Sequence, residues 1–180
     1  MKLINTETIL ETQRLLLEPL KLSHAVNMYY LLQDERIYEY IPTLAPASLE
    51  VLEQRYQKLE TRLSPDGTEA WLNWVVYIKE YKAYAGYIEA TVLPGVAKIA
   101  YVLAPQFWKQ GYAYEACKFL LSILWRDYNI TEIIAEVDTR NLASFRLLER
   151  LGFIRIETRK DADFFKGVSS DEYIYHLTPS

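Results

Sequence analysis

A glycine-bearing turn that leads directly into an amphipathic helix is the feature that most constrains the fold of this chain. The turn and the first helical residues occupy Trp108–Ala116, with Gly111 near the centre, and an apolar, Tyr-rich segment precedes them. The first N–H groups of a helix have no partner within it, and the helix dipole adds about half a positive charge at that end. The turn therefore predicts an anion site suited to a phosphate or pyrophosphate.

A second marker follows about thirty residues further along the chain. It reads NLASFRLLERLGF over 141–153 and contains Asn141, Ser144 and Gly152. Its apolar spacing predicts a helix that ends where Gly152 supplies the residue after the C-cap. Because Asn and Ser commonly cap helix starts, capping by itself is one explanation of Asn141 and Ser144.

The order of the predicted elements indicates a mixed α/β (α+β) fold. Alternating or continuous apolar runs predict strands, and apolar residues recurring at three or four positions predict helices. The predicted order is β-α-α-β-β-β-α-β-α-β-β, over 14–20, 23–33, 48–63, 71–79, 83–93, 96–103, 112–128, 131–138, 141–151, 153–158 and 172–177. Pro94-Gly95 predicts a hairpin, and the unit over 96–138 predicts a right-handed parallel crossover. We therefore expect a mixed, mostly antiparallel central sheet flanked by helices, which a ligand enters where neighbouring strands splay apart.

Composition excludes several classes of protein. The chain of 180 residues is expected to form one domain over 1–180, and it contains no apolar run long enough for a transmembrane helix. A net charge of −4 argues against nonspecific nucleic-acid binding. Residues 1–8 lack the apolar segment of a signal peptide, and the single Cys117 cannot form an internal disulfide, so we expect a reducing cytoplasm. The 15 Tyr, 6 Phe and 4 Trp residues suit an aromatic core, a groove or a subunit interface, and they allow a homodimer.

The two markers together resemble the GNAT superfamily of N-acetyltransferases, and within it the ribosomal-protein N-terminal (alanine/serine) acetyltransferases. The family turn has the pattern Arg/Gln-x-x-Gly-x-Gly/Ala, which residues 108–113 match as WKQGYA. The N-x-x-S and E-x-x-G-F spacings of 141–153 match the second family signature, and the resemblance extends from Thr12 to the last strand. It implies a GNAT-like acyl-CoA acyltransferase fold. It also implies acetyl transfer from acetyl-CoA, as cosubstrate, to a primary amine by direct attack in a ternary complex.

This resemblance and the chemistry of acetyl transfer assign candidate contacts to the cofactor. Backbone amides of the turn would hold the pyrophosphate, and they belong to Lys109, Gln110, Gly111, Tyr112 and Ala113. The amide groups of the pantetheine arm can pair like an added strand, and the predicted edge for them is Tyr101, Val102 and Leu103. A backbone N–H near Leu103 is the predicted donor to the thioester oxygen. Trp108 stands where the family has Arg or Gln, which predicts the loss of one side-chain donor and a modest change in affinity.

Proton transfer is where the sequence departs from the family pattern. Many relatives place a tyrosine general acid four residues after the Ser144 position, and here that residue is Leu148. The resemblance implies that Ser144 donates a hydrogen bond to the leaving thiolate, or relays through water, and that Asn141 holds the pantetheine. Lys98 stands where relatives often have the basic glutamate, so the general base stays open. Glu89 is the candidate, with Glu136, Asp138 and an ordered water chain as alternatives.

The amine acceptor is expected between the first two helices and the C-terminal strands. Tyr38, Tyr40, Ile41-Pro42 and a loop from Lys160 to Ser170 would wall its site. By resemblance the acceptor is a protein N-terminus, a small peptide or an amine-bearing metabolite or antibiotic, and the sequence does not select among them.

Three further interpretations weigh less. Cys117 lies on the apolar face of its helix, which predicts a core residue rather than a nucleophile. His24 and His176 are expected at the surface, and no zinc-ligand spacing is present, so no metal is expected. The main alternative function is a noncatalytic acyl-CoA-binding module or sensor with the same fold, followed by a structural protein without a cofactor.

Overall fold

The computed structural model of the chain describes residues 6–179, and their strands form one mixed sheet. The eight strands of that range are β1 Leu10–Glu11, β2 Leu15–Pro19, β3 Ala70–Ile78, β4 Ala83–Leu93, β5 Val96–Leu103, β6 Glu132–Asp138, β7 Ile154–Phe165 and β8 Val168–Leu177. Its four α-helices are α1 Ala25–Leu31, α2 Leu49–Leu59, α3 Tyr112–Asp127 and α4 Leu142–Arg150. The strand order is β1-β2-β3-β4-β5-β6-β8-β7. Residues 1–5, on which part of the signal-peptide expectation rests, lie outside the described residues.

All neighbouring strands pair antiparallel except β5 and β6, which are parallel. The tight turn at Pro94-Gly95 joins β4 to β5 as the sequence predicts, and α3 forms the crossover between β5 and β6. The predicted fold class, a mixed and mostly antiparallel sheet flanked by helices, is therefore confirmed.

Two apolar cores lie on opposite faces of the sheet because side chains alternate along each strand. Val75 packs with Met28 of α1 and Leu52 of α2. Its neighbour Trp74 belongs to the other core, with Leu120 of α3. The helices thus divide into an α1–α2 face and an α3–α4 face, and these two faces separate the parts of the site described below.

The first two helices are shorter than the sequence predicts. Ser23 lies inside a 3-10 turn, Leu22–His24, and does not cap α1, whose N-cap residue is His24. Ser48 does cap α2, because its side chain accepts a hydrogen bond from the Val51 N–H at 3.2 Å. The predicted extension of α2 beyond Leu59 is wrong, since Arg62 has a φ of +63°, which a helix does not allow.

The predicted loop from Lys160 to Ser170 is also wrong, because β7 and β8 continue through it and turn only at Lys166-Gly167. The predicted strand over 153–158 belongs to β7, but its continuation over 159–162 reads RKDA and is exposed throughout, so no apolar alternation marks it as a strand. The hairpin also contains register shifts near Arg155 and Arg159, which further blur its period of two.

Candidate active site

The sheet opens between β5 and β6. Their parallel register runs only from Val96 to Lys98 on β5, although both strands continue well beyond that point. From Ile99 onward, the backbone of β5 on that side has no strand partner within residues 6–179. An unpaired strand edge of this kind accepts the amide groups of an extended ligand.

The register of β4 against β5 decides which residues present their backbone to this edge. A Cβ added at Gly86 would lie 1.9 Å from the Val102 carbonyl oxygen, so the backbone of Val102 faces β4. The Ala104 N–H likewise donates to a β4 carbonyl at 2.8 Å. Because backbone groups alternate along a strand, those of Tyr101 and Leu103 point to the open side. Of the three residues predicted as the edge, Val102 therefore turns its backbone away from the gap.

The Trp108 side chain is engaged within the protein. Its indole Nε1 donates to the Leu103 carbonyl oxygen at 2.6 Å, which ties the turn to the end of β5. The predicted loss of a side-chain donor to the cofactor, with a modest change in affinity, stays a prediction. The Leu103 N–H stays directed to the gap and stays the candidate donor to a thioester oxygen.

The glycine turn is held in a conformation that other residues rarely adopt. Gly111 is the N-cap residue of α3, with a φ of +82°, and the helix begins at Tyr112. Arg14 Nη1 donates to the Gln110 carbonyl oxygen at 2.9 Å, and the guanidinium lies 4.5 Å from the centre of the Tyr112 ring. The residue before β2 thus fixes the shape of the turn.

A carboxylate in the first turn of α3 completes this support. Glu115 accepts hydrogen bonds from Thr12 Oγ1 at 2.6 Å, from the Arg14 N–H at 2.8 Å and from Arg14 Nε at 2.6 Å. Burial opposes ionisation of Glu115, but these hydrogen bonds outweigh it and hold the pKa of the carboxyl below its usual value. Glu115 therefore stays ionised and keeps Arg14 in place.

A cavity of about 600 Å³ lies beside the turn, along the outer side of α3. It is lined by Gly111 and by three residues that the sequence analysis did not assign, Tyr114, Lys118 and Arg150. The Arg150 guanidinium lies 4.2 Å and the Lys118 ammonium 5.9 Å from the centre of the Tyr114 ring. Lys118 follows the turn on the polar face of α3, which is a signal for it, whereas Arg150 of α4 is brought here only by the fold. Two cations beside an anion-binding turn suit a ligand with several phosphates.

At the start of α4, Asn141 and Ser144 are held by hydrogen bonds within the protein. Asn141 Oδ1 accepts from the Ser144 N–H at 3.1 Å, so Asn141 caps the helix, as the structural explanation of these residues predicts. The Ser144 hydroxyl lies 2.8 Å from the hydroxyl of Tyr101, which also lies 3.2 Å from the Ser144 carbonyl oxygen. Burial raises the pKa of Tyr101, so its hydroxyl stays protonated. This contact between Tyr101 and Ser144 could not be predicted from local sequence, because the two residues are 43 positions apart.

The three candidate bases differ in their surroundings. Glu89 is half-buried on the α1–α2 face, where burial raises the pKa of its carboxyl and the nearby Arg55 partly opposes the shift. Burial also opposes ionisation of Asp138, but hydrogen bonds from Arg140 and Ser170 hold its pKa below the usual range. Asp138 is therefore a weak base whose oxygens are already in use.

Glu136, the third carboxylate, lies on the exposed surface of β6. It pairs with Lys98 at 3.4 Å and with Arg159 at 3.3 Å. Glu89 lines a cavity of about 330 Å³, and neither Glu136 nor Asp138 lines that cavity or the one beside the glycine turn.

The two tyrosines predicted to line the acceptor site, Tyr38 and Tyr40, lie in different surroundings. Tyr38 is buried and lines the same cavity as Glu89, and its hydroxyl donates to the Leu32 carbonyl oxygen at 2.8 Å. Tyr40 does not line that cavity in the described chain. The tip of the β7–β8 hairpin reaches this region, because the Lys166 ammonium contacts the Tyr38 carbonyl oxygen. The hairpin thus closes the side where the sequence placed a loop.

Further sequence expectations concern metal ligands, His24, Cys117 and membrane-spanning helices. No group of three His, Cys, Asp or Glu side chains among residues 6–179 has a metal-binding arrangement. The surface position predicted for His24 is wrong: the side chain is buried, with Nε2 3.1 Å from Glu18 and Nδ1 accepting from the Lys21 N–H. Cys117 is buried in the core, as predicted, and burial raises the pKa of its thiol. None of the described helices is both long and apolar enough to cross a bilayer.

An anion-binding turn at a helix start, next to an unpaired strand edge and a gap in the sheet, defines an acyl-CoA-type transferase site. Residues 14–154 match the family model described as "Acetyltransferase (GNAT) domain". The chain belongs to this family and is an acetyl-CoA-dependent N-acetyltransferase. Family membership thus favours the enzyme over the noncatalytic module.

The chain is similar to several named proteins over nearly its whole length. It is 24% identical over 172 residues to a protein of Bacillus subtilis (strain 168) named as an uncharacterized N-acetyltransferase, YoaA, covering 94% of this chain and 96% of that protein. An acetyltransferase of Salmonella typhimurium that modifies the N-terminal serine of 50S ribosomal protein L7/L12 superposes with a TM-score of 0.81 at 19% identity, covering 94% and 97% of the two chains. The microcin C7 self-immunity acetyltransferase MccE, solved with acetyl-CoA and AMP, gives 0.82 at 18% identity, covering 93% and 94%. At these identities the superpositions establish the fold.

Proposed function

We propose that the protein transfers an acetyl group from acetyl-CoA to a primary amine in a ternary complex, with Glu89 as the general base. One observation carries this assignment. Glu89 pairs opposite Ala100 of β5, between the two β5 residues, Ile99 and Tyr101, whose backbone groups face the gap. The carboxylate and the open edge therefore occupy neighbouring positions on adjacent strands, while their side chains serve opposite faces of the sheet.

The residues of the turn and the open edge fit acetyl-CoA. Backbone N–H groups of Lys109, Gln110, Gly111, Tyr112 and Ala113 would hold the pyrophosphate, with Lys118 and Arg150 beside them for the remaining phosphate. A Cβ added at Gly111 would lie 3.3 Å from Arg14 Nη2, so a side chain at this position would press on the guanidinium that supports the turn. Tyr101 would pair with the pantetheine amides, because the Leu103 carbonyl oxygen already accepts from Trp108 and the Leu103 N–H is assigned to the thioester oxygen. Asn141, which caps α4, would act mainly by positioning Ser144.

Each residue of the gap has one chemical task in this proposal. When bound, acetyl-CoA supplies the acetyl group and a thiolate leaving group. Glu89 takes a proton from the acceptor amine, and the Leu103 N–H stabilises charge on the thioester oxygen. Ser144 donates a hydrogen bond towards the departing sulfur, and the hydroxyl of Tyr101 orients Ser144 at 2.8 Å.

The test compares turnover with cofactor affinity in two variants. Ser144→Ala and Tyr101→Phe are expected to lower kcat about tenfold to a hundredfold, because each removes part of the donor pair. The Kd for acetyl-CoA, measured by isothermal titration, is expected to change less than threefold, since backbone groups supply most contacts. Ser23→Ala, which removes an exposed hydroxyl of the 3-10 turn before α1 that lines neither of the two cavities described here, serves as the matched control. Unchanged kcat in both variants would remove the Tyr101–Ser144 pair from the mechanism.

Three sequence-based expectations stay predictions beside this function. They are a single domain over residues 1–180, a cytoplasmic location and a homodimer. Sedimentation equilibrium measures the last of these directly.

A further inference from the structure

A partly open cavity on the α1–α2 face of the sheet has the size of a small molecule. Its volume is about 330 Å³, at the lower end of ligand pockets, and it would hold roughly eleven water molecules. The segment 43–47 and helix α2 cover it, and aliphatic side chains, including Leu44, Pro46 and Val51, form most of its wall. Such a wall favours a ligand with an apolar part.

Two residues of opposite charge line this cavity. Of the described residues that line it, only Arg55 and Glu89 are charged. Arg55 is an exposed residue of α2, which places it at the mouth, whereas Glu89 is half-buried on β4. The two are close enough for Arg55 to favour the ionised form of Glu89, and Arg55 also interacts with the Tyr87 hydroxyl. A cation and a carboxylate thus face a common space with apolar walls.

A buried hydroxyl in the same wall lacks a partner. Tyr56 is 2% exposed, and its Oη makes no hydrogen bond with any described residue. A buried polar atom without a partner costs about 1–3 kcal/mol, and a bound ligand with an acceptor atom would remove that cost. The hydroxyl therefore marks where a polar group of the ligand belongs, one residue along α2 from Arg55.

We propose that the acceptor is a small primary amine that carries both an apolar body and a carboxylate, of which a free hydrophobic α-amino acid is the simplest example. The inference rests on the proposed function and names its substrate class. Arg55 binds the acceptor's carboxylate and Tyr56 donates a hydrogen bond to it, while the amine lies at Glu89 and the side chain packs against the aliphatic wall. A polypeptide N-terminus has a neutral peptide carbonyl in place of that carboxylate, so it leaves Arg55 without an anionic partner.

The reaction balances with this acceptor. The ammonium gives one proton to the Glu89 carboxylate, and the neutral nitrogen forms a bond to the acetyl carbon. As the bond from that carbon to sulfur breaks, the nitrogen loses a second proton to water and becomes the amide nitrogen, so that one proton is released to solvent overall. The thiolate takes up a proton from the side of Ser144 and water, and Glu89 returns its proton to solvent. The products are an N-acetyl amino acid and free CoA.

The first measurement compares acceptors that differ only in the carboxylate. Thiol release from acetyl-CoA is followed with L-leucine, L-leucinamide and peptides beginning with Ser or Ala. The KM for leucine is expected to be at least about tenfold below that for leucinamide, the factor that one charged hydrogen bond supplies. Equal KM values, or turnover of the peptides alone, would overturn the substrate class and leave the acetyltransferase assignment standing.

The second measurement uses variants of α2. Arg55→Gln is expected to raise the KM for leucine about tenfold more than the KM for leucinamide, because both acceptors share any change at Glu89 and only leucine loses a partner for its carboxylate. Lys58→Gln is the control, because Lys58 is an exposed cation of the same helix that does not line the cavity within the described chain. Equal effects of Arg55→Gln on both acceptors would contradict the assigned contact.

Tyr56→Phe supplies an independent readout. It is expected to raise the KM for leucine while keeping or raising the urea midpoint of the free protein, because the variant lacks the unpartnered hydroxyl. A loss of stability would show that this hydroxyl is already satisfied, and it would overturn its role as a ligand contact.

Titration of acetyl-CoA distinguishes a failure of the proposed function from a failure of the proposed substrate class. If acetyl-CoA does not bind, the proposed function fails and this inference fails with it. If acetyl-CoA binds and another amine is acetylated while leucine is not, only the substrate class is wrong. Binding without release for every acceptor counts against both and favours the sensor.

Discussion

At the scale of single residues, Glu89 combines two properties that a base for an ammonium group needs. It lines the cavity on the α1–α2 face, and burial raises the pKa of its carboxyl above the ordinary value. The nearby Arg55 limits that rise and so keeps part of the population ionised. Asp138 has neither property, since Arg140 and Ser170 occupy its oxygens.

This environment predicts a specific pH profile. Because Glu89 must be ionised to accept a proton, kcat/KM is expected to rise with pH through a midpoint above the ordinary carboxyl value of 4.5. Glu89→Gln should lower kcat/KM about a hundredfold or more and remove that acid limb. Glu136→Gln, an exposed ion-paired carboxyl of β6, should keep it. An acid limb that persists unchanged in Glu89→Gln would assign the base elsewhere.

Gly111 predicts a loss of cofactor affinity that can be separated from backbone strain. Glutamate at this position adds a negative charge and a Cβ where the phosphates would bind, so the Kd for acetyl-CoA should rise at least about tenfold. Gly67 has a similar φ, +71°, in a distant turn with no atom within 4 Å of an added Cβ. Gly67→Glu therefore carries the same strain without the contact, and isothermal titration should give an unchanged Kd. Equal losses in both variants would contradict the phosphate assignment.

At the scale of elements, the start of β2 and the first turn of α3 are joined through one carboxylate. Thr12 and Arg14 both donate to Glu115, and Arg14 continues to the turn at Gln110. These residues are 96 to 103 positions apart in sequence, so their contact closes a long loop. The turn geometry is thus a property of the folded sheet rather than of the local sequence alone.

Removing this carboxylate should weaken the protein in a pH-dependent way. The folded-state pKa of Glu115 is lowered, so its contribution is fully present above its unfolded value near 4.5 and is lost as pH falls through the folded value. Glu115→Gln is expected to cost about 1–2 kcal/mol at pH 7, a figure discounted because Arg14 is partly exposed. Urea unfolding at pH 7 and pH 3 measures both effects. A difference between wild type and Glu115→Gln that does not shrink at pH 3 would contradict the linkage.

The elements that could be predicted are those with local signals. The turn at Pro94-Gly95, the glycine before α3 and the apolar spacing of α3 each lie within a few residues, and together they give the order of strands and helices. The hairpin of β7 and β8 could be predicted only in part, because the sequence RKDA over 159–162 has no apolar alternation to mark the continuation of β7.

At the scale of the whole molecule, the part of the site that escaped prediction is the part made by contacts between distant segments. The backbone direction of Val102 depends on its register against Gly86, and the pairing of Tyr101 with Ser144 depends on how α4 packs beside the gap. Arg55 and Glu89 come from a helix and a strand on the same face. Sequence spacing predicts the turn proposed to bind the cofactor, whereas the cavity proposed for the acceptor becomes visible only once the sheet is assembled.

The burial of Cys117 has a practical consequence for every assay described above. As the one cysteine in the chain, it gives the folded protein no accessible thiol, so a chromogenic disulfide reagent should report released CoA without background. The same side chain becomes a built-in reporter of global opening, since one equivalent of reagent should react per chain in denaturant and almost none in buffer. Fast labelling of the native protein would show that the α3 core opens far more often than its packing implies. Labelling that slows when acetyl-CoA is added would measure, from the centre of the molecule, how strongly the cofactor stabilises the whole fold.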